Sequence, residues 1–250
     1  MATSLRHRLL EGELMDDPDI DIQAHRAALR GLRRINVASR TAAALWPTIR
    51  RIARERRGEP LSLLDVATGG GDVAVALARR AQRDGIALRV EACDISSTAL
   101  RVAEEQARRG GVEVRFFGQD ILTEPLPASY DIIVSTLFLH HLSEAQIVEL
   151  LEAWSCQTRH LIISDLLRSR TGYSLAYLGT RLLSLSPIVH VDGLKSVRAA
   201  LTLPEAEALA HRAGLTGARF TRHWPSRFLM TWSRDTTSAD NHPHEAHSCI

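Results

Sequence analysis

Lysine is almost missing from this 250-residue chain: Lys195 is the only one, and arginine carries the rest of the positive charge. Aromatic residues make up 5% and cysteines number three, Cys93, Cys156 and Cys249. Such scattered cysteines exclude a disulfide framework or zinc spacing and suggest a reducing compartment. Net charge is only +2, so no strong field for nucleic acid or a membrane surface is implied. The N-terminal "MATSLRHRLLEGELMDD" lacks the apolar core of a signal peptide, and no apolar run reaches the length of a membrane span. These absences predict a cytoplasmic protein without a membrane span.

What is present is an alternation of strand and helix patterns beginning at Leu61. "LSLLDVA" and "LRVEACDI" read as strands, each followed by a helix that stops at glycine, Gly85 or Gly110–Gly111. "VEVRFFGQD" alternates as a half-exposed edge strand should, and "YDIIVSTLFL" and "HLIISDL" read as buried strands. Ser143 with Gln146, and Thr202 with Glu205, are capping-box pairs that open two further helices. Near the end, "TGARFTRHWPSRFLMTWSR" predicts two antiparallel strands about Trp224–Pro225. Before Leu61, apolar spacing at Ala28, Leu29, Leu32 and Ile35, then at Leu45, Ile49 and Ile52, suits two amphipathic helices. The predicted fold is therefore α/β and doubly wound, Rossmann-like, with a mostly parallel sheet. A helical lid (1–59) precedes the main domain (60–234). An apolar insertion (168–200) caps the substrate, and a polar tail (235–250) follows. The tail's His242, His244, His247 and Cys249 could ligate a metal, but no metal is expected.

The stretch "LLDVATGGGDVAVALARR" joins the first strand to a helix through three glycines. Gly69, Gly71 and Ala74 match the dinucleotide pattern G-x-G-x-x-A, with Asp94 at the distance of a ribose acceptor. Asp65 argues against that ligand, because a carboxylate before the glycines faces a pyrophosphate unfavourably. An NAD(P)-dependent oxidoreductase remains one alternative, and a catalytically silent partner subunit another.

Four motifs in order, each at the end of a strand, resemble the class I S-adenosylmethionine-dependent methyltransferases, in particular their small-molecule, ubiquinone/menaquinone-type members. They are Asp65-Val-Ala67-Thr-Gly69-Gly70-Gly71, "CDIS" with Asp94, "GQDI" with Asp120, and "YDIIVSTLFLHHL". Ala67 stands where that family has its first glycine. The resemblance implies a seven-stranded sheet with an antiparallel C-terminal strand, and S-adenosylmethionine as cofactor. By the same resemblance Gly69 to Gly71 let the backbone approach the cofactor, and Asp65 orients the loop and the amino group. Asp94 accepts the ribose hydroxyls, Asp120 accepts from adenine between Ile95 and Ile121, and Thr136 ends the fourth strand beside the cofactor.

His140 and His141 follow that strand, where the family places residues near the transferable methyl, and imidazole suits removal of a phenol or enol proton. Asp165 and Arg168 after the fifth strand, with Tyr173 in the insertion, are candidates for fixing the lid or binding the acceptor. His190, Asp192 and Ser196 are weaker ones. The insertion's apolar character favours a small hydrophobic or aromatic acceptor and O-methylation. Nucleic acid is not expected as substrate: the arginines from Arg26 to Arg57 read as a solvated helical face, and "STLF" lacks the Pro-Pro motif of amino-methylating DNA enzymes. A homodimer is left open.

Overall fold

Among the described residues seven strands carry the fold: β1 (Leu61–Val66), β2 (Leu88–Asp94), β3 (Arg115–Gly118), β4 (Tyr130–Thr136), β5 (Thr158–Leu166), β6 (Arg219–His223) and β7 (Arg227–Ser233). They lie in one sheet in the order β3-β2-β1-β4-β5-β7-β6. The computed structural model describes residues 5–17, 19–56 and 58–234, so the tail histidines and Cys249 lie outside the described residues. β1 to β5 pair in parallel, whereas β7 runs antiparallel between β5 and β6. The expected doubly wound sheet with an antiparallel C-terminal strand is thus present.

Among the described residues eight α-helices cover it: α1 (Ile22–Ala38), α2 (Thr41–Glu55), α3 (Asp72–Asp84), α4 (Ser97–Gly110), α5 (Glu144–Gln157), α6 (Arg170–Leu183), α7 (Pro187–Ala199) and α8 (Leu203–Arg212). On one face Leu45, Ile49 and Ile52 of α2 and Leu77 of α3 bury against Leu63, Ile132 and Ile162 of the sheet. On the other, Ile147, Leu151 and Trp154 of α5 and Leu209 of α8 pack on Leu64, Ile133 and Leu161. Each such side chain contributes roughly 1.5–3 kcal/mol of burial. Both predicted capping boxes form, at Ser143/Gln146 and Thr202/Glu205. α2 therefore belongs to the core face, and Arg227 of β7 ties it down: fully buried, it donates to Thr41 Oγ1 and to Asn36 Oδ1.

Two strands are shorter than their sequence patterns suggest. β3 spans four residues, because the Val112 amide turns back to the Ala107 carbonyl and closes α4. β4 stops at Thr136, because Leu137 takes a left-handed conformation (φ 57°) after a last bond to Ser164. Leu139–His141 then form a single 3-10 turn. No helix among the described residues is long and apolar enough to cross a membrane.

The N-terminal segment 5–16 is a strap laid over α7. Its backbone has few regular partners, and groups of α7 supply them. Asp192 accepts from the Leu14 and Met15 amides at 2.8 and 3.0 Å, Lys195 donates to the Gly12 carbonyl, and the Arg198 carbonyl accepts from Leu9. Arg198 also pairs with Glu11 at 3.1 Å.

Candidate functional site

Strand order reverses between β1 and β4, and both strands end at the same edge of the sheet. In such sheets ligands sit in the crevice opened by that reversal. From β1 the chain enters the loop Ala67–Gly71, where Ala67, Gly69 and Gly71 all have positive φ. Gly71 must be glycine: a Cβ there would lie 2.5 Å from that of Ala103. Gly69 differs, since a Cβ added to it would meet open space. Its conformation alone calls for glycine, and its backbone is approachable from outside.

Carboxylates hold this loop. Asp65 is fully buried, accepts from the Thr68 hydroxyl at 2.7 Å, and leaves its other oxygen without a partner. Burial pushes its pKa up to about 7, opposed by the Thr68 hydrogen bond and reinforced by Asp72 and Asp94. Asp94 ends β2 and accepts from the amides of Gly69 at 2.7 Å and Ser96 at 2.9 Å. A carboxylate has about four acceptor positions, so two remain for hydroxyl groups. Burial raises Asp94 above the ordinary carboxylate range, against the pull of those amides and of His25. Ile95 beside it is 74% exposed, an apolar side chain placed where a flat ring could cover it. Asp120 is half-buried and accepts from the Leu122 amide, and Ile121 packs on the same core cluster as Ala67 and Phe138. Thr136 is half-buried at the end of β4. An approachable glycine, a carboxylate with free acceptor positions and an exposed isoleucine fit S-adenosylmethionine, whose ribose, ring and amino group need those partners.

The histidine pair stands one strand away, on the turn after β4. His140 is buried: its Nδ1 lies 2.7 Å from Asp165, and its backbone amide also donates to that carboxylate. Its Nε2 faces Glu13 of the strap at 3.6 Å. Burial alone would lower the His140 pKa, but Asp165 and Glu13 outweigh it and push it up to about 10. Asp165 and Glu13 are in turn held below the usual carboxylate range by His140, against their own burial. His141 is more open, with Nδ1 3.0 Å from Asp16 and Nε2 4.0 Å from Glu13. Met15 of the strap packs on Leu29 and Val102, which also adjoin Gly70, so the strap spans from the histidines to the cofactor loop.

Asp165 and Arg168 do not pair with each other. Asp165 holds His140, whereas Arg168, its side chain 1% exposed, forms a forked bond to Glu205 and donates to the Ala200 and Leu5 carbonyls. That geometry ties the chain just after β5 to α8 and the strap, and occupies four of the five guanidinium N–H groups. Tyr173 is half-buried on α6. Asp192 and Ser196 hold the strap, and His190 bonds the Ser184 carbonyl. Sequence reasoning missed Glu13, Asp16 and His25. The first two lie in an acidic run without periodicity, and His25 reads as one polar position on an amphipathic helix; only the fold sets them beside His141 and Asp94. A cavity of about 600 Å³ lies behind the glycine loop among Arg33, Arg79, Arg80 and Arg83. It is lined by neither of the site's histidines nor by Asp65, Asp94 or Asp120, and the chemistry above places the site elsewhere.

Residues 63–159 match a family profile described as a methyltransferase domain. The ubiquinone biosynthesis O-methyltransferase of Cupriavidus pinatubonensis is 26% identical over 184 residues, covering 70% of this chain and 68% of that protein. The ribosomal protein L11 methyltransferase of Caldicellulosiruptor bescii is 38% identical over 77 residues, 31% of this chain and 23% of its own length. The chain thus spans less than a third of that relative. Among solved structures, the apo form of the S-adenosylmethionine-dependent methyltransferase SibL superposes with a TM-score of 0.54 at 25% identity, covering 70% of this chain and 51% of that one. Residues 63–159 thus carry a methyltransferase domain, and in fold the chain is similar to S-adenosylmethionine-dependent methyltransferases.

Proposed function

We propose that this chain methylates the hydroxyl of a small, largely apolar acceptor. The observation that carries the reading is the juxtaposition of an approachable Gly69 loop with a histidine pair enclosed by the strap. S-adenosylmethionine, when bound, supplies a methyl on a sulfonium, so the S–C bond breaks as the O–C bond forms and a neutral thioether leaves. Asp94 and the Gly69–Gly71 backbone hold the cofactor's ribose and methionine ends, while Asp65 keeps the loop in place through Thr68. Asp120, Ile95 and Ile121 flank the adenine. The acceptor enters under the strap, α6 and α7, with Tyr173 on its wall. Its hydroxyl points at His141, where the proton it loses is taken up; His140, pushed up to about 10, already carries its proton between Asp165 and Glu13. Holding oxygen and methyl in near-attack geometry supplies most of the rate.

The relatives support this scale of substrate unevenly. One is named for ubiquinone biosynthesis and another for a ribosomal protein, so the acceptor's class rests on the apolar insertion rather than on likeness. A panel of phenols, enols and amines incubated with labelled cofactor tests it. Label on hydroxyl acceptors that His141→Gln reduces about 10²–10⁴-fold, with S-adenosylhomocysteine affinity kept, is the expected result. Label on amines alone would replace O-methylation by N-methylation, and no cofactor affinity in the wild type would remove the reading.

A further inference from the structure

The histidine pair and Glu13 have a geometry that proton transfer alone does not require. Both imidazoles are fixed from behind: His140 Nδ1 by Asp165 at 2.7 Å and His141 Nδ1 by Asp16 at 3.0 Å. Both turn Nε2 toward the same carboxylate, that of Glu13, at 3.6 and 4.0 Å. Glu13 is itself braced by the Ser196 hydroxyl. The three ligand-type atoms lie within 4.8 Å of one another. An ion bound tetrahedrally at about 2.0–2.2 Å separates its ligands by roughly 3.4 Å, so small side-chain adjustments close the set. Carboxylates behind histidines, fixing the tautomer and aiming the other nitrogen, are the outer shell that metal-ligating histidines almost always have.

We propose that Glu13, His140 and His141 form a binding site for one first-row divalent cation, zinc best matching two imidazoles and a carboxylate, with a position left open for an oxygen ligand. Two imidazoles disfavour magnesium and calcium, which take oxygen donors. Glu13, Asp16 and Asp165 supply three negative charges around the site. Arg8 nearby is turned to the backbone, donating to the Leu139 and His140 carbonyls. The site stands on geometry alone, while its role rests on the methyltransferase reading. In that role the histidines hold the acceptor oxygen through the ion, instead of taking its proton themselves. The strap then does more than close the pocket, because it delivers one of the three ligands.

The test is titration of the chelator-stripped full-length protein with Zn2+ by calorimetry, and with Co2+ by visible absorption. The tail histidines are replaced (His242→Gln, His244→Gln, His247→Gln) so that they cannot contribute. One equivalent is expected, with the intense visible bands of four-coordinate cobalt. Glu13→Gln and His141→Gln should each weaken it at least 100-fold, and Asp165→Asn, which disturbs only the support, about 10–100-fold. S-adenosylhomocysteine titrated into each variant reads the cofactor site separately, so losing one does not imitate losing the other. No stoichiometric binding in the tail-substituted protein, or binding unmoved by both Glu13→Gln and His141→Gln, overturns the proposal. A variant that melts early is replaced by Glu13→Ala, judged by the same readings.

Discussion

The two halves of the site are built on different principles. The cofactor half is local: Asp65, the glycine loop and Asp94 sit at the ends of adjacent strands, and their hydrogen bonds join residues at most 25 positions apart. The acceptor half is assembled from a distance, the strap being bonded to α7 across nearly 180 residues. In the first half the backbone positions the ligand groups and side chains brace it. In the second, side chains position a backbone that has no strand and only a single 3-10 turn, Leu14–Asp16, of its own. The difference teaches that one set of mutations should act on affinity and the other on enclosure.

The largest expected effect tests that division directly. Asp94→Ala removes two amide bonds from the loop and two acceptor positions from the ribose. S-adenosylhomocysteine should bind about 10³-fold more weakly by calorimetry, or ~4 kcal/mol. Affinity within threefold of wild type would place the ribose elsewhere. Arg168→Met comes next, and belongs to the second half. It leaves Glu205 without its buried partner, so the melting transition should fall by about 3 kcal/mol of stability while cofactor affinity in the folded protein is kept. A loss of affinity in step with stability would show that the halves are not separable.

The third prediction concerns pH. Asp65 is raised in the folded state to about 7 from an ordinary 3.8, so the native protein binds the extra proton between those values. Stability of the cofactor-free protein is therefore greatest below pH 4 as far as this group is concerned. It falls as pH rises toward 7, and above 7 the group adds no further slope. The decline is about 1.4 kcal/mol per pH unit at most. Thermal melts of Asp65→Asn against wild type from pH 5 to 8 isolate it from Asp72 and Asp94, which are also raised. Parallel pH profiles for the two proteins would mean that Asp65 is ionised throughout. The smallest effect is that of Asp192→Ala, which frees the Leu14 and Met15 amides. Hydrogen exchange there should quicken about tenfold or more, with the glycine loop unchanged. Spread of the faster exchange into residues 67–71 would join the strap to the loop.

The same contrast explains what could be read beforehand. Asp65, Gly69, Gly71 and Asp94 were legible because a strand, a turn and a helix succeed one another within 30 residues, and each leaves a pattern. The capping boxes at Ser143 and Thr202 were legible for the same reason. The edge strand was overread because Val112 and Val114 alternate like strand residues, although the Val112 amide is already bound to α4. Asp165 and Arg168 were singled out together at the end of the fifth strand, but the chain there sends Arg168 to Glu205 of α8 and Asp165 to His140. Glu13 and Asp16 left no local pattern at all. Their meaning depends on α7, which lies at the far side of the sequence.

β7 enters the sheet between two strands made before it, pairing with β5 over seven positions and with β6 over five. During synthesis the outer edge of β5 must wait, its amides and carbonyls unpaired, until residues 227–233 leave the ribosome. Arg227 also reaches Thr41 and Asn36, so the early helices are locked by the same late strand. The nascent chain therefore cannot bank a finished N-terminal half while the rest is being made. An intermediate stopped at β6 presents an open parallel edge to other chains, and is the species on which strand-to-strand aggregation should begin.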